Sequence, residues 1–417
     1  MKVYISGIAG TGMGPLALMA KTAGFEVCGS DLAKGAIYDE LIEAGIEVRI
    51  GSQDWEFLQE KLTDGVDWFV YTSALPEDHA ELVMAREAGI KCTKRDDFTA
   101  FLVEKLGLKM IAVAGTHGKT TTTSMIIWSG LKLGLPAAYI VGTTLGFASS
   151  GVYHKGDKFF IYEADEYDRN FLKYHPWLAV IPAVSYDHPD IYPTKEDYKA
   201  AFEQFKAQSE HVLEDDENGL RRDGEKIDTV FELSRFKLAG LVRKKDAMLA
   251  AETVKLMDEE LQDDAIVQIL NEFPGVGRRF ERLRDGLYSD YAHHPEEIAA
   301  TIEVARDECR LRNKKGIVVI YQPHQNVRQH EVRDEYRNAF VGADKVMWLP
   351  TYLTREDPRL EIIKPDEFIE GLSNKEVAEA VELGGELESK IKQYLVDNYL
   401  VVLMTAGPAD EWLRARF

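Results

Sequence analysis

The chain has 417 residues, with 71 Asp and Glu against 50 Lys and Arg and a formal net charge of −21. That length exceeds what one hydrophobic core usually serves, so two or three domains are expected. So acidic a chain argues against nonspecific nucleic-acid binding, and no run of about 20 apolar residues exists to span a bilayer. Cys28, Cys92 and Cys309 lie far apart, with neither metal nor disulfide spacing, so a reduced, cytoplasmic chain is expected. The N-terminus runs straight into a strand with no basic leader, so no signal peptide is expected.

Lys2–Ser6 reads as a strand, and Gly7-Ile8-Ala9-Gly10-Thr11-Gly12-Met13-Gly14 as a glycine-rich turn into the helix Pro15–Ala23. A second strand follows and ends at Asp31. This is a βαβ unit whose first turn would seat a nucleotide diphosphate on a helix N-terminus, with Asp31 placed for a ribose or sugar hydroxyl. The dinucleotide fingerprint does not fit: counting from Gly10 and Gly12, its third glycine falls on Pro15, and counting from Gly7, its second falls on Ala9. Asp67–Thr72 reads as a further strand, and Ser73 stands at its end, where an open α/β sheet places ligands. Taken singly, Asp31 and Ser73 read equally well as turn or cap residues.

Ile111–Ala114 is a short apolar strand that breaks into Gly115-Thr116-His117-Gly118-Lys119-Thr120-Thr121 and then a helix. Strand, glycine turn and helix N-terminus form a phosphate cradle; Lys119 would reach the terminal phosphates and the Thr120 hydroxyl would ligate Mg²⁺. Where the usual P-loop has its first glycine this chain has Val113, so the loop is a shortened variant. Phe159–Tyr162 is a buried-type strand ending in Glu163-Ala164-Asp165-Glu166-Tyr167-Asp168. Four carboxylates at a strand end beside a phosphate loop suit Mg²⁺, although an acidic run can also be a solvated loop. Trp177–Ser185 is the next strand, and it delivers His188 to the same sheet edge. Tyr198, Phe202 and Phe205 mark one face of a helix, and 211–234 is polar with no clear period.

Phe273-Pro274-Gly275-Val276-Gly277-Arg278-Arg279-Phe280-Glu281 reads as a boundary offering two cations. Strands at 286–290, 316–321, 345–349 and 399–405 alternate with helices, so a third α/β sheet is expected. Polar residues again gather at strand ends: Tyr291, His293, His294 and Pro295 after one, and Gln322, Pro323, His324, Gln325 and Arg328 after another. These histidines and Arg328 would line a cleft, or serve as caps and a surface charge.

Together these motifs resemble the Mur ligase family, the ATP-dependent ligases that build the peptide of bacterial peptidoglycan. The resemblance runs along nearly the whole chain and is carried by 115–123, the glycine loop at 7–14, the acidic run, Asp187-His188, 275–281, 291–295 and Gln322-Pro323-His324. It implies three α/β domains with mainly parallel sheets: 1–107 for a UDP-sugar, 108–272 for ATP and 273–417 for the incoming amino acid. It implies that the lactyl carboxylate of UDP-N-acetylmuramate is phosphorylated by ATP and the acyl phosphate is then taken by the amine of L-alanine. Lys119, Glu163, His188 and Arg328 would carry the chemistry. Gly115 to Thr121, Arg279 and Asp290 would hold ATP, and Thr120, Glu163 and His188 would hold Mg²⁺. Gly10, Gly12, Met13, Asp31 and Ser73 would receive the UDP-sugar, and Tyr291, His294, His324 and Arg328 the amino acid. A monomer or homodimer is expected, with no nucleic-acid or membrane partner.

The chain also departs from the family's pattern. After Gly240 the family carries a His-Asn pair and then Asn for adenine, and here Val242, Arg243 and Asp246 stand. The segment 207–238 is short for the family, so the central sheet is expected to have lost strands. Gln325 stands where Arg is usual. Tyr167 and Asn170 are similar to those of a related ligase that takes a recycled tripeptide, and a noncatalytic UDP-sugar-binding protein is the reading from another class.

Overall fold

The computed structural model describes residues 1–417 except 36, 54, 73, 74, 144, 189, 190, 217, 218 and 355. Among the described residues three separate sheets are present, and they belong to two compact units. The first unit is Met1–Arg235 with Lys245–Phe273, and it holds two of the sheets. The second is Phe236–Lys244 with Pro274–Phe417. Ser73, expected at the sugar site, lies outside the described residues.

The first sheet is built from β1 (Lys2–Ser6), β2 (Glu26–Asp31), β3 (Glu47–Ile50), β4 (Trp68–Tyr71) and β5 (Lys91–Lys94). Its order is β3-β2-β1-β4-β5, and every pairing is parallel. The chain reverses its winding direction at β1, between β2 and β4. A crevice opens at that point in a doubly wound sheet, and the loop after β1 carries the glycines. The helix Met13–Thr22 begins there, with Pro15 inside its first turn, where a missing N–H costs nothing.

The helix Arg95–Leu106 ends at Gly107, in the left-handed region at φ 65°, and leads into the second sheet. The strands are β6 (Lys109–Val113), β7 (Ala137–Ile140), β8 (Gly151–Val152), β9 (Phe159–Glu163), β10 (Leu178–Ile181), β11 (His211–Asp216), β12 (Gly219–Arg222) and β13 (Glu225–Lys226). Their order is β13-β12-β11-β10-β6-β9-β7-β8. The middle is parallel, whereas β8, β12 and β13 run antiparallel to their neighbours. The polar stretch 211–226, which showed no clear period, supplies one parallel strand and a hairpin at this sheet's edge. One continuous apolar core joins the two sheets, from Val3, Leu16 and Phe98 to Phe160, Phe171 and Phe205. Such a core leaves no solvent layer between the first sheet and the second.

The third sheet comprises β14 (Glu281–Arg284), β15 (Leu287–Asp290), β16 (Ile317–Gln322), β17 (Lys345–Trp348), β18 (Ala378–Ala380) and β19 (Leu400–Thr405), in the order β14-β15-β19-β16-β17-β18. Only β14 is antiparallel. Both of its faces are covered: Tyr321, Tyr336, Phe340 and Trp348 pack on one and Val318, Met347, Leu387 and Leu413 on the other. That explains the near-continuous apolar runs in its strands. Among the described residues no helix is long and apolar enough to cross a membrane.

Candidate active site

The phosphate loop lies between β6 and the helix Lys119–Leu133. Gly118 caps that helix at φ +82°, and a Cβ there would stand 2.7 Å from Asp246 Oδ1 and 2.8 Å from Pro182 Cβ. Only glycine meets both demands. The loop is tied to the strand on one side: Thr116 N donates to Ala183 O at 2.8 Å, and Ser185 N donates to Thr116 Oγ1 at 3.0 Å. His117 and Thr121 are half-buried beside it.

The neighbours of β6 are β9 and β10. Register places Val113 opposite Glu163, so the loop and the acidic run leave the sheet together. Thr120 Oγ1 donates to Glu163 Oε1 at 3.0 Å. Lys119 Nζ folds back over the loop onto Gly115 O and donates to Glu166 Oε1 at 2.9 Å. Glu166 is 1% exposed, and its Oε2 is buried without a hydrogen-bond partner among the described residues. His188 stands 3.8 Å from Glu166 Oε1 and 3.7 Å from Asp187 Oδ2, in a left-handed turn at φ 59°. The expected set of Thr120, Glu163 and His188 therefore divides. Thr120 and Glu163 meet, whereas His188 is drawn to Glu166, which motif reading passed over.

Electrostatics explain the partition. Burial opposes the Lys119 charge, but the Glu166 and Glu163 carboxylates outweigh it and raise its pKa above the ordinary lysine value. Burial also pushes Glu166 up, and the charges of Lys119 and the contact with His188 overturn that and hold it low. For His188 burial acts downward, and Glu166 and Asp187 more than compensate, so its pKa is raised. Asp165 is raised by burial and by its neighbour Glu166. The site thus holds one buried ammonium–carboxylate pair beside a hydroxyl–carboxylate pair. Among the described residues no group of three or more His, Cys, Asp or Glu has metal-holding geometry. Hard oxygens from Thr120 and Glu163, with the unpartnered Glu166 Oε2 nearby, nevertheless fit Mg²⁺. That ion keeps several waters and takes substrate phosphates rather than a protein cage.

Asp246, from the stretch that departs from the family's pattern, is 3% exposed and accepts from Thr122 Oγ1 at 3.1 Å. A carboxylate therefore stands directly behind the phosphate loop.

At the end of β1, Gly10 is exposed and Gly12 half-buried. The Met13 side chain is in the core, and its N–H closes on Gly10 O at 3.2 Å. Asp31 turns its carboxylate onto the loop, accepting Ala9 N at 2.8 Å. It holds the glycine turn in shape.

In the second unit, Asp290 is 7% exposed and accepts from Phe280 N at 2.6 Å and Ala292 N at 2.7 Å. Burial raises its pKa against the pull of Arg279. Its carboxylate braces the turns around it. The guanidiniums of Arg278 and Arg279 lie over the Tyr291 ring at 4.6 and 5.1 Å. Tyr291, His293, His324 and Tyr352 follow in ring contact at 5.4, 5.8 and 5.7 Å. His294 caps the helix Pro295–Leu311, its N–H donating to Glu297 Oε2 at 3.3 Å. Arg328 is half-buried on the helix Asn326–Glu331. The unit thus joins Arg279, Tyr291 and His324 through rings, with His293 as the link, and uses His294 at a helix start.

Comparison with known proteins agrees with this architecture. The profile of the Mur ligase family's catalytic domain matches residues 2–105, and that of the Mur ligase middle domain matches 113–250. The chain is 31% identical to the UDP-N-acetylmuramate–L-alanine ligase of Syntrophomonas wolfei, over 98% of this chain and 95% of that protein. It is 32% identical to the enzyme of the same name from Rubrobacter xylanophilus, with the same coverage. In fold it is similar to the UDP-N-acetylmuramate–alanine ligase of Thermotoga maritima, at a TM-score of 0.76 and 23% identity over 100% of this chain and 98% of that one. A murein peptide ligase from Psychrobacter arcticus shares the fold at a TM-score of 0.59 and 21% identity, also over 100% of this chain and 98% of that one.

Proposed function

The chain belongs to the Mur ligase family, and on that premise we propose that it joins L-alanine to the lactyl carboxylate of UDP-N-acetylmuramate at the expense of ATP. The observation that carries the reading is the paired geometry at the ends of β6 and β9, Lys119 on Glu166 and Thr120 on Glu163. In this reading residues 1–107 take the UDP-sugar, 108–272 take ATP, and 273–417 take the amino acid.

A carboxylate oxygen of the substrate attacks the γ-phosphorus of ATP, ADP leaves, and an acyl phosphate forms. The alanine nitrogen then attacks the acyl carbon, the carbon–oxygen bond to phosphate breaks, and the amide forms with loss of a proton from nitrogen. Both steps gather negative charge, so positioning and fixed positive charge supply most of the rate. Lys119 remains protonated across the working pH range and places its ammonium on the transferred phosphoryl group. The N–H groups of Gly118 to Thr120 cradle the phosphates at the helix N-terminus. Thr120 and Glu163 would hold Mg²⁺, whose charge would offset that of the phosphate oxygens. Glu166 keeps Lys119 in place and His188 against it. Arg279 contacts ATP phosphates, and Tyr291, His324 and Arg328 receive the amino acid.

A substrate panel tests this directly. Phosphate release requires UDP-N-acetylmuramate, Mg-ATP and L-alanine together, with glycine and L-serine slower. Release with a tripeptide alone would assign the chain to the tripeptide reaction, which Tyr167 and the buried Asn170 favour. Tight UDP-sugar binding without measurable Mg-ATP binding would favour a noncatalytic protein, the reading motivated by Val242 and Arg243 in place of the family's His-Asn pair.

A further inference from the structure

The glycine loop after β1 offers backbone N–H groups and a helix end, which carry only partial charges. A diphosphate in a chain of net charge −21 calls for a full positive charge at the same place. One residue supplies it. A Cβ built on Gly12 would stand 2.5 Å from Arg95 Nη1. The guanidinium therefore lies directly on the loop, and a side chain at position 12 would have to push it aside.

Arg95 is held there. Its Nε and Nη2 face Asp96 Oδ1 at 3.4 and 3.2 Å, which leaves Nη1 as the nitrogen turned to Gly12. Asp96 is itself 4% exposed, and the same oxygen accepts from Tyr162 OH at 3.0 Å and Tyr174 OH at 2.7 Å. Tyr162 directly precedes Glu163 at the end of β9. One carboxylate thus fixes a cation at the glycine loop and the strand that delivers Glu163. Helix stability does not ask for a cation here. Arg95 opens the helix Arg95–Leu106, where the dipole favours carboxylates, and Asp96 and Asp97 already meet that preference.

We infer that Arg95 is a substrate-binding residue for the diphosphate of the UDP-sugar, and that Asp96 is its positioning residue. The inference rests on the UDP-sugar reading given above. Guanidinium suits the task because it stays charged and presents a planar fork to phosphate oxygens. With one edge of the fork on Asp96, the other meets the diphosphate over Gly10–Met13. The sugar's position relative to Glu163 is then set by a single rigid connection.

Titration calorimetry on the full chain with UDP, UDP-N-acetylmuramate and uridine tests it. Arg95→Gln weakens UDP and the UDP-sugar by about ten- to a hundredfold, the range for a charge-assisted hydrogen bond, and leaves uridine unchanged. Arg95→Lys recovers only part of the loss, since a point charge replaces the fork; if Arg95→Gln does not fold, the Lys variant carries the comparison. In turnover, KM for the UDP-sugar rises more than kcat falls. Equal losses for UDP and uridine, or no loss for UDP, would overturn the inference. Wild-type protein that binds neither UDP nor the UDP-sugar would remove the UDP-sugar reading itself, and this inference with it.

Discussion

At the scale of single residues, Glu166 is the group on which the site's electrostatics turn. Its pKa is held below the ordinary glutamate value of 4.5 because Lys119 and His188 outweigh the effect of burial. A depressed folded pKa adds stability above the unfolded value, and that stability is lost as pH falls through the folded one. Between about pH 5 and 3 the wild-type melting temperature is therefore expected to fall more steeply than that of Glu166→Gln. Parallel slopes would mean the pair adds nothing. Lys119 has the opposite sign: its raised pKa adds stability below the ordinary lysine value of 10.5, lost as pH climbs through the folded value. Asp246 gives a second residue-scale prediction. Asp246→Asn keeps an acceptor for Thr122 and removes a negative charge from behind the phosphate loop. Charges of one sign a few ångströms apart cost on the order of 1 kcal/mol or more at protein surfaces. KM for Mg-ATP is accordingly expected to drop severalfold, and a steady-state titration of ATP that shows a rise would refute the charge argument.

At the scale of elements, the phosphate loop is a turn that three strands constrain. Gly118 is left-handed and pressed against Asp246 and Pro182, so Gly118→Ala is expected to cost about 1–3 kcal/mol and to raise KM for ATP. A thermal melt and ATP titration unchanged by Ala would show that the loop is not so tightly held. This element was legible in the sequence because a Gly-Lys-Thr run after an apolar strand has few other uses. Glu166 was not. Four carboxylates in six residues carry no sign of which turns inward, and Glu166 does so just ahead of a turn through Asp168 and Arg169 at φ 54° and 56°. The hairpin of β12 and β13 escaped for a related reason: as a polar edge it carries no alternating pattern to read. Arg95 lies more than eighty residues from Gly12, and only the packing of the helix Arg95–Leu106 brings the two together.

At the scale of the molecule, three α/β sheets were readable from the alternation of apolar strands and amphipathic helices. The joining of the first two was not, because their shared core is a matter of which helix faces meet. Phe98 sits in that core from the first sheet's side, fully buried. Phe98→Ala is expected to destabilise by about 3–5 kcal/mol and to speed amide exchange in β6 and β9 as well as in β1. Exchange that rises in β1 alone would mean the two sheets open independently. The central claim concerns the chemistry at the ends of β6 and β9, and its most direct test follows one atom. UDP-N-acetylmuramate labelled with ¹⁸O in the lactyl carboxylate is turned over with Mg-ATP and L-alanine, and the released phosphate is weighed by mass spectrometry. An acyl phosphate predicts that one ¹⁸O leaves with each phosphate as the amide forms. Phosphate free of the label would contradict the account.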